Sequence, residues 1–269
     1  MTTKILNGDC LELMKDLPDK SVDLFICDLP YGETNCSWDS KIDLVKFWEE
    51  FKRIRKSKRT CCIHFCSTKF GYTLIKSNEK MFKMDMVWKK RNKTGGLQSK
   101  YRPMRNHEMV YFFYEQAPKY NRDKYHKRIK SVDPDKKNET IKEKASVVEE
   151  ETIWGEKKKD RHKRYLKDGT GAMNPPNPSS VVEEDEPVSM FESTKVFIGK
   201  RHHQTEKPLD ILEFFLKYWA DEGDTVLDPT MGSGSTGVAC KKLGINFVGF
   251  ELNEEIFKTA EKRLDMTTK

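Results

Sequence analysis

The 269-residue sequence predicts an α/β fold, an open and mostly parallel sheet with helices on both faces and one inserted region. Three observations carry that reading. Residues 22–27 (VDLFIC) form an apolar run of strand length that stops at Asp28, Pro30 and Gly32, as a buried parallel strand does where its carboxyl end opens into a tight loop. Residues 225–251 read as strand, small-residue turn, helix and second strand. Between about 118 and 194 hydrophobic periodicity nearly vanishes, so the core is read as two halves, 1–117 and 195–269, around an insertion at 118–194.

Taken in order, residues 4–7 (KILN) are a short strand, and Gly8 and Asp9 lead into the apolar spacing of a helix over 10–15. Asp9 lies at that junction, where it either caps the helix or reaches a ligand. A polar stretch at 33–37 precedes an amphipathic helix over 44–54, then a buried strand at 60–66 (TCCIHFC) and a helix near 70–77. Residues 84–88 and 108–114 are two further strands, and the sequence KKRNKTGG at 89–96 reads as a loop between them. A glycine-containing loop so basic suits phosphate contact, through Lys89, Lys90, Arg91 and Lys93, with Arg102 and Arg105 beyond it. Within the insertion, a basic block at 157–164 is flanked by Trp154 and Tyr165, and an acidic block follows at 183–186. Order returns at 201–208 (RHHQTEKP), followed by a helix over 209–220, a strand at 225–228, a turn, a helix over 236–243, a strand at 246–251 and a closing helix over 254–264.

Composition narrows the function classes. The chain is 36% hydrophobic and 35% charged, with Lys+Arg 50 against Asp+Glu 43 and a net charge of +7, a balance that fits a polyanionic partner without requiring one. No apolar stretch approaches the ~20 residues of a bilayer span, and residues 1–4 carry no apolar leader segment, so a cytoplasmic protein is expected. Of the seven cysteines, Cys27, Cys61, Cys62, Cys66 and Cys240 sit inside apolar runs without the paired spacing of a zinc site. They are read as packing residues of a reducing compartment, with no metal expected.

The chemistry concentrates at two loops. After residues 22–27 come the carboxylate of Asp28, the carbonyl of Leu29, which Pro30 biases away from helix, and the aromatic face of Tyr31. An acceptor pair beside a stacking platform suits a planar ring that carries an amino group. The late strand, glycine turn and helix, with Glu251 ending the next strand, suit an adenosine-like ligand, because glycines allow close backbone approach and a terminal carboxylate binds ribose hydroxyls. The third glycine of a dinucleotide site is missing, which argues against a pyrophosphate.

Asp28-Leu29-Pro30-Tyr31 resembles the D-P-P-Y catalytic motif of amino-methylating DNA methyltransferases, and Asp228-Pro229-Thr230-Met231-Gly232-Ser233-Gly234-Ser235-Thr236 resembles their D-P-F-x-G-S-G-T-T cofactor motif. His203-Gln204-Thr205-Glu206-Lys207-Pro208 is similar to the H-P-T-E-K-P segment that precedes it. With the catalytic motif first, the order is that of the beta class. The resemblance implies a Rossmann-like methyltransferase fold with circularly permuted motif order and an inserted target-recognition region. It implies S-adenosylmethionine as cofactor, with contacts at Asp9, Asp28, Lys207, Pro208, Asp228, Pro229, Gly232, Ser233, Gly234, Thr236 and Glu251.

The same resemblance makes Asp28, Leu29, Pro30 and Tyr31 the catalytic loop, which holds a target base rotated out of the duplex and accepts hydrogen bonds from its amino group. Lys89, Lys90, Arg91, Lys93, Arg102 and Arg105 become the DNA-binding residues. Leu29 departs from the family, replacing its first proline and leaving the backbone less rigid there. An acid at the first motif position favours adenine N6. The expected activity is therefore site-specific adenine-N6 methylation of DNA, with cytosine-N4 methylation or a non-catalytic nucleic-acid-binding module as alternatives. A homodimer and a restriction endonuclease are compatible partners, and the recognition sequence is not legible.

Overall fold

The computed structural model describes residues 1–32, 42–125, 190–192 and 206–266. The chain divides into two units, Met1–Arg122 with Pro187–Lys269, and Asp123–Glu186. Apart from 123–125, every described residue lies in the first. The polar stretch at 33–37, the 157–164 block and His203 to Thr205 lie outside the described residues.

Among the described residues the first unit contains eight strands, β1 (Thr3–Asn7), β2 (Leu24–Cys27), β3 (Cys61–Cys66), β4 (Phe82–Thr94), β5 (Arg105–Phe113), β6 (Met190–Glu192), β7 (Thr225–Asp228) and β8 (Asn246–Glu251). They form one sheet in the order β1-β8-β7-β2-β3-β5-β4-β6. All pairings are parallel except those of β5, which runs antiparallel to both β3 and β4. The chain leaves β2 toward β3 on one side, whereas β7 leads to β8 on the other, so the sheet reverses its winding between β2 and β7. Open α/β sheets bind ligands outside the carboxyl ends of the strands at such a point.

Helices cover both faces. On one side lie α1 (Cys10–Lys15), α2 (Leu44–Ile54) and α3 (Thr68–Ser77). A single turn, α4 (Arg122–Tyr125), precedes the other set, α5 (Leu209–Trp219), α6 (Ser235–Lys242) and α7 (Glu254–Met266). The two-residue period of the strands divides the core accordingly. Leu24 and Ile26 of β2 and Cys61, Ile63 and Phe65 of β3 join Ile211, Phe215, Ala239 and Leu264. Phe25, Cys27, Cys62 and Cys66 join Met14, Phe47, Phe51 and Leu74. Burial on both faces is why these strands read as continuous apolar runs. Helix starts follow local capping, with Asp9, Asp43 and Ser67 accepting hydrogen bonds from the first turns of α1, α2 and α3.

One element departs from expectation. The basic residues read as a loop lie on the strand β4, which continues through Lys89, Lys90, Arg91 and Lys93 to Thr94, while β5 begins at Arg105. The connection shrinks to Gly95, with φ 89°, a 3-10 turn at Gly96–Gln98 and a few residues including Arg102. Backbone pairing with β5 on one edge and β6 on the other sustains a strand that hydropathy does not announce.

Candidate active site

At the carboxyl end of β2 the side chain of Asp28 has both oxygens engaged. The Tyr31 hydroxyl donates to Oδ1 at 2.8 Å, and the Lys207 ammonium donates to Oδ2. The Tyr31 ring stacks on Phe70 at 5.0 Å between centroids and 25° between planes. Burial first, and then the Asp28 and Glu108 carboxylates, push the Tyr31 hydroxyl well above its ordinary range, so it stays protonated and donating. Leu29, the departure from the D-P-P-Y pattern, is 1% exposed and packs in the same core as Phe25 and Phe70. Side-chain burial thus anchors the loop where the missing proline ring would have stiffened it.

The loop after β7 meets the loop after β2 through a hydrogen bond from the Thr230 hydroxyl to the Asp28 backbone carbonyl, 3.1 Å long. Asp228 is 5% exposed and accepts from the Thr236 hydroxyl at 2.6 Å and from the Thr230 backbone N–H at 3.2 Å. Burial pushes its carboxyl up to about 7, against the pull of those two donors, with the charges of Asp28 and Glu251 adding to the rise. Gly232 and Gly234 adopt φ of 53° and 77°, in the left-handed region that favours glycine. A Cβ placed on Gly232 would meet nothing within 4 Å, so open space lies beside the turn, whereas one on Gly234 would come within 3.3 Å of Ala260.

Glu251 ends β8 and binds this turn, accepting from the Gly232 N–H at 3.1 Å and the Asn253 N–H at 2.8 Å. The Gly8 N–H donates to the Glu251 carbonyl at 3.0 Å, which brings the end of β1 alongside. Asp9, beside it, caps α1 by accepting from the Leu11 and Glu12 N–H groups at 2.8 and 3.3 Å. Pro208 opens α5 and is buried. Lys207 reaches Asp28 rather than the glycine turn, with its ammonium 5.2 Å from the centroid of the Phe65 ring. Opposing its burial, the Asp28 and Glu108 carboxylates raise the Lys207 ammonium and hold it charged.

Several contributors were not singled out from the sequence. Glu206 is held by Arg263 at 2.6 Å and accepts from the Ser235 hydroxyl at 3.2 Å, while Arg263 also reaches the Ser233 hydroxyl at 3.1 Å. Glu206 and Ser235 sit inside quoted motifs and were findable there; Arg263 carries no sequence signal. Glu108, on β5, accepts from Lys90 and lies 3.9 Å from the Lys207 nitrogen. Of the basic candidates, Lys90 is therefore committed inward, its ammonium also 4.9 Å from the Trp88 ring centroid, whereas Lys93, Arg102 and Arg105 are exposed. On the opposite side of the sheet Cys27, Cys62 and His64 cluster, with Sγ–Sγ 3.8 Å and Cys62 Sγ to His64 Nε2 3.1 Å. Burial lowers His64 to about 3 and keeps it neutral. These separations suit thiol hydrogen bonds, and the cluster offers three donor groups where structural zinc takes four.

A family of N6 and N4 methyltransferases, described as DNA methylase, matches residues 22–262, and that span takes in both loops. The chain belongs to the DNA methylase family. As a member it is a DNA amino-methyltransferase dependent on S-adenosylmethionine. The DNA methylase is 26% identical to the type II methyltransferase M.HinfI of Haemophilus influenzae over 97% of its own length and 67% of that protein's. It is 27% identical to the DNA adenine methyltransferase YhdJ of Escherichia coli over 98% of its own length and 83% of that protein's. In fold it matches the crystal structure of the M1.HpyAVI–SAM complex at a TM-score of 0.58 and 22% identity, covering 98% of this chain and 100% of that one. The Rossmann-like architecture is thereby established. No helix among the described residues is long and apolar enough to cross a membrane.

Proposed function

We propose that this DNA methylase transfers a methyl group to the N6 amino group of adenine in DNA, and that its motif order places it in the beta class. The observation that carries the reading is the placement of the Asp28 carboxylate at the winding reversal of the sheet, tied through Thr230 to the turn that Asp228 and Glu251 organise. The adenine-named relative over 98% of the chain supports the base assignment. The fit to S-adenosylmethionine rests on the open space beside Gly232, the buried acid Asp228 and the carboxylate of Glu251. Asp9, Lys207, Pro208, Pro229, Ser233, Gly234 and Thr236 complete the proposed holding set. When bound, the cofactor supplies a methyl group on a sulfonium, an electrophile that asks for no metal or covalent intermediate.

The chain's own residues deal with a poor nucleophile. An exocyclic amine conjugated to its ring is activated when acceptors aimed at its N–H groups push its lone pair outward. Asp28 and the Leu29 carbonyl take that part, Pro30 orients the carbonyl, and Tyr31 offers a ring face to the extruded base. Catalysis on this account is positioning plus electrostatics matched to the developing charge. The core halves 1–117 and 195–269 and a recognition insertion at 118–194 belong to the proposal, supported by the separate unit Asp123–Glu186. A homodimer and an endonuclease partner rest on the resemblance alone.

Nucleoside mass spectrometry of DNA incubated with the enzyme and labelled cofactor tests the reading. Labelled N6-methyladenine is expected; N4-methylcytosine overturns the base assignment. Asp28→Ala should abolish transfer while S-adenosylhomocysteine still binds, and near wild-type turnover in that variant refutes the role of Asp28.

A further inference from the structure

Glu108 is a half-buried charge that the proposed reaction leaves unused. Its Oε1 accepts from Lys90, but its Oε2 is buried and has no hydrogen-bond partner among the described residues. Such an atom is expensive to leave unsatisfied, and native structures keep few of them. The Lys207 ammonium stands 3.9 Å from this oxygen, within ion-pair range but short of a hydrogen bond. It bonds instead to Asp28, whose other oxygen is taken by Tyr31. In this arrangement the carboxylate proposed to receive the target amine already holds a cation.

The two carboxylates and two ammoniums form one row, Asp28, Lys207, Glu108 and Lys90, with no net charge. A displacement of about 1 Å brings the Lys207 nitrogen from 3.9 Å into hydrogen-bond range of the unpartnered oxygen. That displacement leaves the charges of the row balanced, and the Phe65 ring lies beside the ammonium, 5.2 Å away at its centroid. Lys207 is 12% exposed at its side chain, so water is a poor substitute acceptor.

We propose that Glu108 is a positioning residue, the second acceptor onto which Lys207 moves when the target amine takes its place at Asp28. The inference rests on the reading of Asp28 as the amine's acceptor. Glu108 and Lys90 then connect the DNA-facing edge of β4 and β5 to the catalytic loop through a single cation.

Two substitutions of Glu108 in the full-length enzyme test it. Glu108→Gln keeps the shape but leaves the row with one excess positive charge and Lys207 with Asp28 as its one ion-pair partner among the described residues. Turnover should fall at least about tenfold at saturating DNA and cofactor, while the KM for DNA and the affinity for S-adenosylhomocysteine change by less than about twofold. Glu108→Asp keeps the anion beside Lys207, so it should recover most of the turnover lost by Glu108→Gln. Wild-type turnover in Glu108→Gln, or Glu108→Asp no faster than Glu108→Gln, overturns the proposal. If Asp28→Ala keeps its activity, the amine reading itself falls. If Asp28→Ala is inactive and Glu108→Asp recovers nothing, only the role of Glu108 falls.

Discussion

Asp228 and His64 both titrate away from their ordinary values, in opposite directions for one reason. Burial disfavours whichever form is charged, so the acid rises from 3.8 to about 7 and the base drops from 6.5 to about 3. Between those limits folded Asp228 binds more proton than unfolded Asp228. Its favourable contribution is therefore complete below pH ~4 and lost as pH rises to about 7. For His64 the unfolded chain takes the proton first, and stability is lost as pH falls from 6.5 toward 3. Asp228→Asn keeps an acceptor for the Thr236 hydroxyl and removes the titration. The variant should gain stability over the wild type between pH 4 and pH 8, by up to about 4 kcal/mol at ~1.4 kcal/mol per pH unit. Urea unfolding at the two pH values checks this, and an equal difference at both refutes it. The acids at the ends of the apolar runs were legible as candidate site residues because a strand end and a motif coincide there. The pairing of Asp28 with Lys207 was not, since the two are 179 residues apart in sequence.

At the scale of elements, the β4–β5 hairpin is where reading and structure diverge. Its basic residues were expected in a loop, yet cross-strand pairing makes them strand and sorts them by depth. Lys90 points to Glu108, while Lys93, Arg102 and Arg105 are exposed alongside Leu97 and Tyr101, which are 100% and 89% exposed near the tip. If the exposed cations meet DNA phosphates, reversing the charge of Lys93, Arg102 and Arg105 should weaken binding to all sequences alike. Each lost contact should lower the log–log salt dependence by about 0.9. Equilibrium binding across a salt series measures both, and unchanged affinity and slope would remove the hairpin from the DNA face. Elsewhere an element's packing leaves no choice of residue. A Cβ on Gly237 of α6 would come within 2.7 Å of the Phe247 ring on β8, so the helix lies against the sheet only with glycine there.

For the whole molecule, the proposed cofactor site draws on the ends of β2, β7 and β8 and on the start of α5, elements from both ends of the chain. A ligand held by all of them binds only the native sheet. S-adenosylhomocysteine at 100 times its Kd should therefore stabilise the fold by about 2.7 kcal/mol, whereas NAD should not. Thermal unfolding with each ligand decides the matter, and stabilisation by NAD alone would sink the assignment.

The sequence by itself determined the buried strands, the helix that follows Asp9 and the two glycine- and proline-marked loops. Each of these depends on burial period or on local backbone chemistry that a short window already contains. Tertiary structure alone decided that β5 runs antiparallel, that Met190–Glu192 adds a strand beside β4, and that Lys207 lies between Asp28 and Glu108. Strand partners and ion pairs join residues distant along the chain. Their energies come from neighbours that no local pattern names, and they appear only once the sheet has brought those neighbours together.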